Sequence, residues 1–194
     1  MRSVTLSSEQ QKLALQRVEA AGLSDRVQVE LCDYRDIQGQ YDAIVSVEMI
    51  EAVGFDFWTT YFQTIDALLK PGGRFALQTI TMPHERMLAS RSTHTWIQKY
   101  IFPGGLLPSV RAIAETTSDT THLRTVETIS LRPHYAETLR LWSRQFAAQR
   151  ESVSALGFDD AFYRMWQLYL AYSQAGFSSG YLDVHQWIFQ RGQQ

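Results

Sequence analysis

A short run of residues, AIVSV at positions 43–47, constrains the fold of this chain more than any other feature. It is rich in β-branched, apolar side chains, which is typical of a strand that is covered on both faces of a sheet. A helical pattern follows it from residue 57, and RFALQTIT at residues 74–81 then indicates another strand. Strand, helix and strand in alternation predict an α/β fold with a parallel sheet.

Further helices and strands are predicted along the chain. Ser7 and Gln10 fit a capping box that begins a first helix, which ends near Gly22, and KPGG at residues 70–73 ends the second helix with a turn. The second helix carries a stripe of apolar residues at helical spacing, namely Trp58, Tyr61, Phe62, Ile65, Leu68 and Leu69. Strands are predicted at 27–31, 122–131 and 183–191, and helices at 136–149 and 159–175.

Residues 83–122 interrupt this alternation. They contain YIFPGGLLPS at residues 100–109, in which glycines and prolines favour a loop and the other side chains are mostly apolar or aromatic. We expect a lid-like insertion here. Its apolar loop would either pack on the core or face a membrane surface.

Composition limits the classes of partner and compartment. The 194 residues, 45% of them hydrophobic, suffice for one domain, and the net charge of -2 provides no basic surface for a nucleic acid. A single cysteine, Cys32, excludes an intrachain disulfide and fits a reducing cytoplasm. The sequence has no apolar run near the roughly 18 residues of a membrane span, and its first residues do not read as a signal peptide. We therefore expect a cytoplasmic protein that touches a membrane at most from one face.

Several common catalytic motifs are missing from the sequence. The histidines show no HExxH spacing and one cysteine cannot build a zinc site, so we expect no metal. There is no GxSxG elbow and no P-loop lysine motif. The eleven glycines include no G-x-G, the spacing typical of the turn that brings a nucleotide-type cofactor close to the backbone.

Five segments carry a resemblance to a known family: VTLSSEQ, LCDYRDIQGQYDAIVSVEMIEAVG, LLKPGGRFALQTIT, IQKYIFPGGLLPS and HYAETLRLW. Together they closely resemble the cyclopropane-fatty-acyl-phospholipid synthase family, S-adenosylmethionine-dependent enzymes that act on double bonds of lipid acyl chains. KPGG is generic to class I methyltransferases, whereas YIFPGGLLPS and HYxxTL are specific to this family. The similarity extends from Val4 to Gly192.

The resemblance implies a truncated, Rossmann-like class I methyltransferase sheet with a helical lid insertion at residues 83–122. The chain is similar to the C-terminal part of the family only, without the first strand and the glycine-rich methyl-donor loop, so we expect a single partial domain over residues 1–194. Loss of the first strand would leave AIVSV with an unpaired apolar edge. Because such edges pair with other chains, we expect a homo-oligomer or a swapped dimer.

The resemblance also implies two sets of site residues. The cofactor S-adenosylmethionine would lie near the ends of the first two strands, against Thr5, Leu6, Gln10, Asp33 and Tyr34. A bicarbonate ion that accepts a proton would be held by Glu51, Gln78 and Tyr135. This sequence departs from the family pattern twice, since many members have histidine where Gln78 stands and a cysteine ligand of the family has no counterpart here.

The chemistry of such a reaction fits these residue types. Methyl transfer from a sulfonium to an alkene leaves a carbocation, and ring closure then needs a base to remove a proton. Glu51 lies among apolar neighbours, where an ionised carboxylate is costly unless it is hydrogen-bonded. Aromatic faces stabilise a cation. Tyr135 and an aromatic tail could provide them, although the tail is also typical of a core: Tyr163, Trp166, Tyr169 and Tyr172.

Two functions remain open from the sequence. The first is methyl or methylene transfer to the double bond of unsaturated phospholipid acyl chains at a membrane surface, incomplete in this chain alone because the glycine loop is missing. The second is a non-catalytic, self-associating fragment with affinity for a lipid surface. Transfer of label from S-adenosylmethionine to phospholipid would establish the first, and binding of acyl lipid without methyl-donor binding would support the second.

Overall fold

The computed structural model describes residues 1–93 and 95–193. They form two compact units, Met1–Tyr41 and the residues from Asp42 onward. The expectation of a single partial domain over the whole chain stays a prediction.

The first unit is a strand, helix and strand followed by a short 3-10 turn: β1 (Arg2–Thr5), α1 (Ser8–Ala20), β2 (Gln28–Leu31) and the turn Tyr34–Asp36. β1 and β2 pair in parallel over four residues each, as the sequence predicts. A tight turn after α1 uses Gly22, whose φ of 64° lies in the left-handed region that glycine adopts without steric cost.

Only half of the predicted capping box forms at the start of α1. The Ser7 side chain accepts a hydrogen bond from the Gln10 backbone N–H, as an N-cap should. The Gln10 side chain does not return to the Ser7 N–H; its Oε1 accepts from Thr5 Oγ1 instead, at 2.7 Å, and the Ser7 N–H donates to Thr5. Thr5 therefore replaces Gln10 in closing the cap.

The second unit contains a four-stranded sheet with the strand order β3-β4-β6-β5. Its strands are β3 (Tyr41–Val47), β4 (Leu69–Thr81), β5 (Leu123–Ser130) and β6 (Asp183–Arg191). β6 is antiparallel to both β4 and β5. β6 therefore departs from the predicted parallel sheet. β6 can run antiparallel to β5 because the helical segment between them brings the chain back to the end of the sheet where β5 finishes, so that Ser130 pairs with His185.

Helices connect these strands, together with a 3-10 turn at Phe55–Phe57. They are α2 (Ile50–Val53), α3 (Trp58–Leu68), α4 (His84–Ser90), α5 (Trp96–Tyr100), α6 (Val110–Thr120), α7 (Arg132–Ala148), α8 (Arg150–Ala155) and α9 (Asp160–Ser178). The predicted lid-like insertion thus contains three helices, α4 to α6. No helix in the described part of the chain is long and apolar enough to cross a membrane.

The KPGG segment is not the turn that the sequence predicts. α3 ends at Leu68, and residues 70–73 already belong to β4. Gly72 has a φ of 77°, and a Cβ on Gly73 would lie 2.8 Å from the Lys70 carbonyl oxygen. The two glycines let the strand start in a sharply bent backbone, because glycine adopts a positive φ and leaves room for the close approach of the Lys70 carbonyl oxygen.

β3 is an outer strand of its sheet, paired with β4. The prediction that AIVSV is covered on both faces is wrong, because Val45 is 70% and Val47 59% exposed. The expectation of an unpaired apolar edge agrees with this position.

Two groups of apolar residues form the core of the second unit. The stripe predicted on α3 is buried against the sheet, where Phe62 meets Phe189 edge to face and Phe189 stacks on Phe75 at 5.7 Å between ring centroids. A second cluster joins α7, α9 and β6. It consists of Leu139, Leu170, Phe177 and Val184.

Replacement of Phe189 by alanine should lower the free energy of unfolding by about 3–5 kcal/mol, because the ring is fully buried between two other rings. Urea titration followed by circular dichroism measures this change. Phe158→Ala is the matched control, since Phe158 is 46% exposed and its loss should cost far less. Equal losses in the two variants would contradict the packing described here.

Candidate active site

Glu48 stands at the centre of a hydrogen-bonded cluster at the end of β3. Its φ of 51° lies in the left-handed region, which is rare for a residue other than glycine and commonly marks a functional position. Its backbone N–H donates to the Gln78 carbonyl oxygen at 2.8 Å. Its Oε1 accepts two side-chain hydrogen bonds, from Tyr135 Oη at 2.8 Å and from Gln78 Nε2 at 3.0 Å. The Glu48 carboxylate therefore connects the end of β3 to β4 and to the first turn of α7.

The side chain of Gln78 is held from both sides. Its Oε1 accepts from Gln186 Nε2 on β6 at 2.8 Å, and its Nε2 donates to Glu48. Gln78 and Gln186 are directly opposite each other in the antiparallel pair β4–β6, which brings their side chains to the same face of the sheet. The hydrogen bond from Gln186 orients the side-chain amide of Gln78 so that its N–H group points at Glu48.

Glu51, in α2, lies in a more enclosed environment. Its Oε1 accepts from Thr79 Oγ1 at 2.6 Å and from the Ile80 backbone N–H at 2.8 Å. Its Oε2 is buried and has no hydrogen-bond partner among the described residues. Burial raises the pKa of Glu51 above its ordinary value, and the nearby charge of Glu48 adds to the effect. Relative to an exposed glutamate, the protonated form of Glu51 is therefore favoured over a wider pH range.

Aromatic side chains surround the Glu48 carboxylate. Burial, and then the hydrogen bond to Glu48, raises the pKa of Tyr135, so its hydroxyl stays protonated and donates. Burial and the charge of Glu48 also raise the pKa of Tyr169 on α9. The Tyr169 ring meets Phe102 edge to face at 5.8 Å, and the Tyr135 ring packs against Phe177 at 4.9 Å. The site thus combines carboxylates with aromatic rings.

The predicted catalytic residues all lie in this region, but their contacts differ from the expected arrangement. Gln78 and Tyr135 meet through Glu48, which sequence reasoning missed. Glu51 contacts the two residues that follow Gln78 on β4. The segment VEMIE could have indicated Glu48, because it places a second carboxylate at the strand end, three residues before Glu51. Nothing in the sequence indicates that Glu48 adopts a left-handed backbone.

The residues expected near the methyl donor lie in the first unit. At the end of β1, Thr5 and Gln10 hydrogen-bond to each other, and Leu6 between them is 75% exposed. At the end of β2, Asp33 accepts from the Arg35 backbone N–H, Nε and Nη2. These hydrogen bonds lower the pKa of Asp33 to about 2, so the carboxylate stays ionised. Burial raises the pKa of the adjacent Tyr34.

Metal ligands are not gathered anywhere in residues 1–93 and 95–193, where no group of three or more His, Cys, Asp or Glu could hold an ion. Cys32 is a free thiol that donates to the Asp33 carbonyl oxygen at 3.2 Å.

Comparisons with known proteins identify the family. The model of the mycolic acid cyclopropane synthetase family matches residues 1–187. The tuberculostearic acid methyltransferase UfaA1 of Mycobacterium tuberculosis is 64% identical over 191 residues, which are 98% of this chain and 45% of that protein. The cyclopropane-fatty-acyl-phospholipid synthase of Escherichia coli K12 is 39% identical over 189 residues, or 97% of this chain and 47% of that protein.

Solved structures agree with the fold. Mycolic acid cyclopropane synthase CmaA1, complexed with SAH and CTAB, superposes with a TM-score of 0.88 at 30% identity, covering 98% of this chain and 69% of that one. The predicted α/β class I methyltransferase fold is therefore confirmed. The chain spans about half the length of the curated relatives described above. The extent of the family match, and identities of 39% and 64% over nearly the whole chain, establish that this chain belongs to the mycolic acid cyclopropane synthetase family.

Proposed function

We propose that this chain takes part in transfer of a methyl group from S-adenosylmethionine to the double bond of an unsaturated lipid acyl chain. One observation carries the proposal: the Glu48 carboxylate is fixed by Gln78 and Tyr135 beside the buried Glu51. The same region carries the aromatic rings that a cationic intermediate needs. Family membership supports the reaction class.

The reaction requires a base once the methyl group has moved. The bond from sulfur to the methyl carbon breaks as the methyl carbon bonds to one alkene carbon, and the sulfonium becomes a neutral thioether. Positive charge then remains on the neighbouring carbon. We assign the acceptance of the released proton to Glu48, because its carboxylate is exposed and held in one orientation by two donors. Tyr135 and Tyr169 present rings near the same carboxylate and would stabilise the cation.

The hydrogen bonds of this site argue against an added bicarbonate ion as the base. Gln78 Nε2 and Tyr135 Oη, two of its expected donors, are already directed at Glu48. A bicarbonate ion there would also meet the negative charge of Glu48. We therefore propose that Glu48 takes the place of bicarbonate as the base, with Glu51 as a hydrogen-bonded neighbour.

The methyl donor would be bound by residues of the first unit. Thr5, Leu6 and Gln10 follow β1, and Asp33 and Tyr34 follow β2, at the carboxyl ends of two parallel strands. Ligands of open α/β sheets bind at these ends. Asp33, ionised and at a strand end, supplies an acceptor for donor groups of the adenosine portion.

The outcome of the reaction is proposed to be methyl transfer without ring closure: Glu48 takes a proton from the new methyl group, and the electrons of that C–H bond form a double bond to the cationic carbon, which leaves a methylene branch. This chain is 64% identical to a protein named as a tuberculostearic acid methyltransferase and 39% identical to one named as a cyclopropane synthase. The substrate would be an acyl chain of a phospholipid at a membrane surface, reached from the cytoplasm. The branched alkene and the cyclopropane have the same mass, so nuclear magnetic resonance of the labelled lipid products separates them by their vinylic and ring protons.

A second candidate function is self-association without catalysis. The observation that favours it is the outer strand β3, whose residues Val45 and Val47 are exposed on a sheet edge. Such an edge offers backbone hydrogen-bonding groups to a strand of a second copy. This candidate predicts lipid binding without binding of S-adenosylmethionine, which calorimetric titration of the chain with that donor tests.

Glu48→Gln should lower the rate of methyl transfer by about a hundredfold or more, because an amide cannot accept the proton. The measurement is transfer of label from methyl-labelled S-adenosylmethionine to dioleoyl phospholipid vesicles. Glu127→Gln, an exposed change on β5, is the matched control and should leave the rate unchanged. A Glu48→Gln chain that methylates lipid as fast as the unsubstituted chain would exclude Glu48 as the base.

Glu51→Gln should change the pH dependence of stability. Because burial raises the pKa of Glu51 in the folded chain, the unfolded chain releases this proton first as pH rises, and the free energy of unfolding falls until the folded carboxyl also ionises. The amide does not titrate, so the variant should gain stability relative to the unsubstituted chain as pH rises above about 4.5. Urea unfolding at several pH values measures the difference. A pH-independent difference would refute the raised pKa.

Val45→Lys should convert an oligomer of this chain to a monomer, because a lysine on an edge strand opposes pairing with another strand. Light scattering at micromolar concentration measures the mass of both chains. Leu13→Lys, at a comparably exposed position on α1, should leave the oligomer intact. A monodisperse monomer of the unsubstituted chain would rule out self-association.

A further inference from the structure

A cavity of about 750 Å³ lies between the insertion that joins β4 to β5 and the 3-10 turn Phe55–Phe57. Its volume is within the range of small-molecule sites. It adjoins the site described above, because the Leu106 N–H at its wall donates to the Glu51 carbonyl oxygen at 2.9 Å. The proposed methyl transfer uses none of the polar side chains that line the cavity.

The cavity is lined by groups of opposite charge that do not neutralise each other. Arg91 and Asp56 both line it, and neither forms an ion pair with any residue in the described ranges. The guanidinium carbon of Arg91 lies 3.5 Å from the centroid of the Phe55 ring. Stacking on the ring fixes the plane of the guanidinium and leaves its N–H donors at the edge free for a ligand.

The remaining lining residues suit a ligand with a polar end and an apolar end. Ser92 and Thr93 follow Arg91 and bring hydroxyl groups, and Gln98 brings an amide whose Nε2 is bound to the Gly105 carbonyl oxygen. Leu88 and Leu106 provide apolar wall. An arginine with neighbouring hydroxyls is typical of a phosphate site, and a carboxylate beside it favours an amine on the same ligand.

We propose that this cavity binds the head group of a zwitterionic phospholipid, with its phosphate on Arg91 and its amine on Asp56. The inference deepens the proposed function and rests on it, since the lipid bound here would be the one whose acyl chain is methylated. A head group held in the insertion would anchor that lipid beside the segment that carries Glu51.

Calorimetric titration with dihexanoyl phosphatidylethanolamine, below its micelle concentration and without methyl donor, tests the site. Arg91→Gln should weaken binding about tenfold through loss of charged hydrogen bonds. Arg86→Gln removes the same charge from the same region outside the cavity and should leave the affinity unchanged. Equal affinities of the two variants would overturn the proposal, as would displacement of the lipid by an equal concentration of inorganic phosphate.

A second lipid tests whether Asp56 binds the amine of the head group. Asp56→Asn should weaken binding of dihexanoyl phosphatidylethanolamine and spare that of dihexanoyl phosphatidylglycerol, which has no amine. Glu85→Gln, outside the cavity, is the matched control. Equal weakening for both lipids would overturn the amine assignment.

Failure of this inference can be distinguished from failure of the proposed function. Label transfer that proceeds with no effect of Arg91→Gln on lipid binding would overturn the head-group site alone. Arg91-dependent binding in a chain that transfers no label would overturn the methyl-transfer proposal alone.

Discussion

The Glu48 carboxylate joins three elements that are far apart in sequence. Gln78 is 30 residues and Tyr135 is 87 residues away, and both donate to the same oxygen. To reach them, Glu48 takes a left-handed backbone conformation that costs of order 1 kcal/mol or more. The backbone hydrogen bond to Gln78 and the two side-chain hydrogen bonds offset that cost, since each hydrogen bond to a charged group contributes about 1.5–3 kcal/mol. These hydrogen bonds connect the first turn of α7 to β4 and to the end of β3.

Two carboxylates three residues apart experience different surroundings. Glu51 is enclosed, its pKa is raised, and its contacts are with the backbone and hydroxyl of β4. Glu48 faces solvent on one side and accepts from two side chains. Neighbouring carboxyl groups in unlike environments often divide the work of an acid and a base. The proposed chemistry uses that difference, with the exposed Glu48 as the base and the more enclosed Glu51 as its neighbour.

The spacing of apolar residues predicted most of the helices and strands but few of the contacts between side chains. The α3 stripe, the strand β2, the long α9 and the closing β6 all follow from apolar spacing, which burial enforces locally. The direction of β6 did not follow, because the pattern of a strand is the same in parallel and antiparallel pairs. The prediction of a turn at KPGG was wrong because glycine occurs in bent strands as well as in turns. The resemblance to the family supplied Glu51, Gln78 and Tyr135, whereas Glu48 emerged only from backbone geometry and long-range hydrogen bonds.

The exposure of Glu48 has a consequence for repeated turnover. A buried base would need a chain of waters or side chains to return its proton to solvent before the next cycle. Glu48 is in contact with solvent, so water can take that proton directly once the product has left. A protonated Glu48 carboxyl is a weaker hydrogen-bond acceptor than a carboxylate. Its hydrogen bonds from Tyr135 and Gln78, which connect α7 and β4 to the end of β3, are therefore weaker while Glu48 carries the proton.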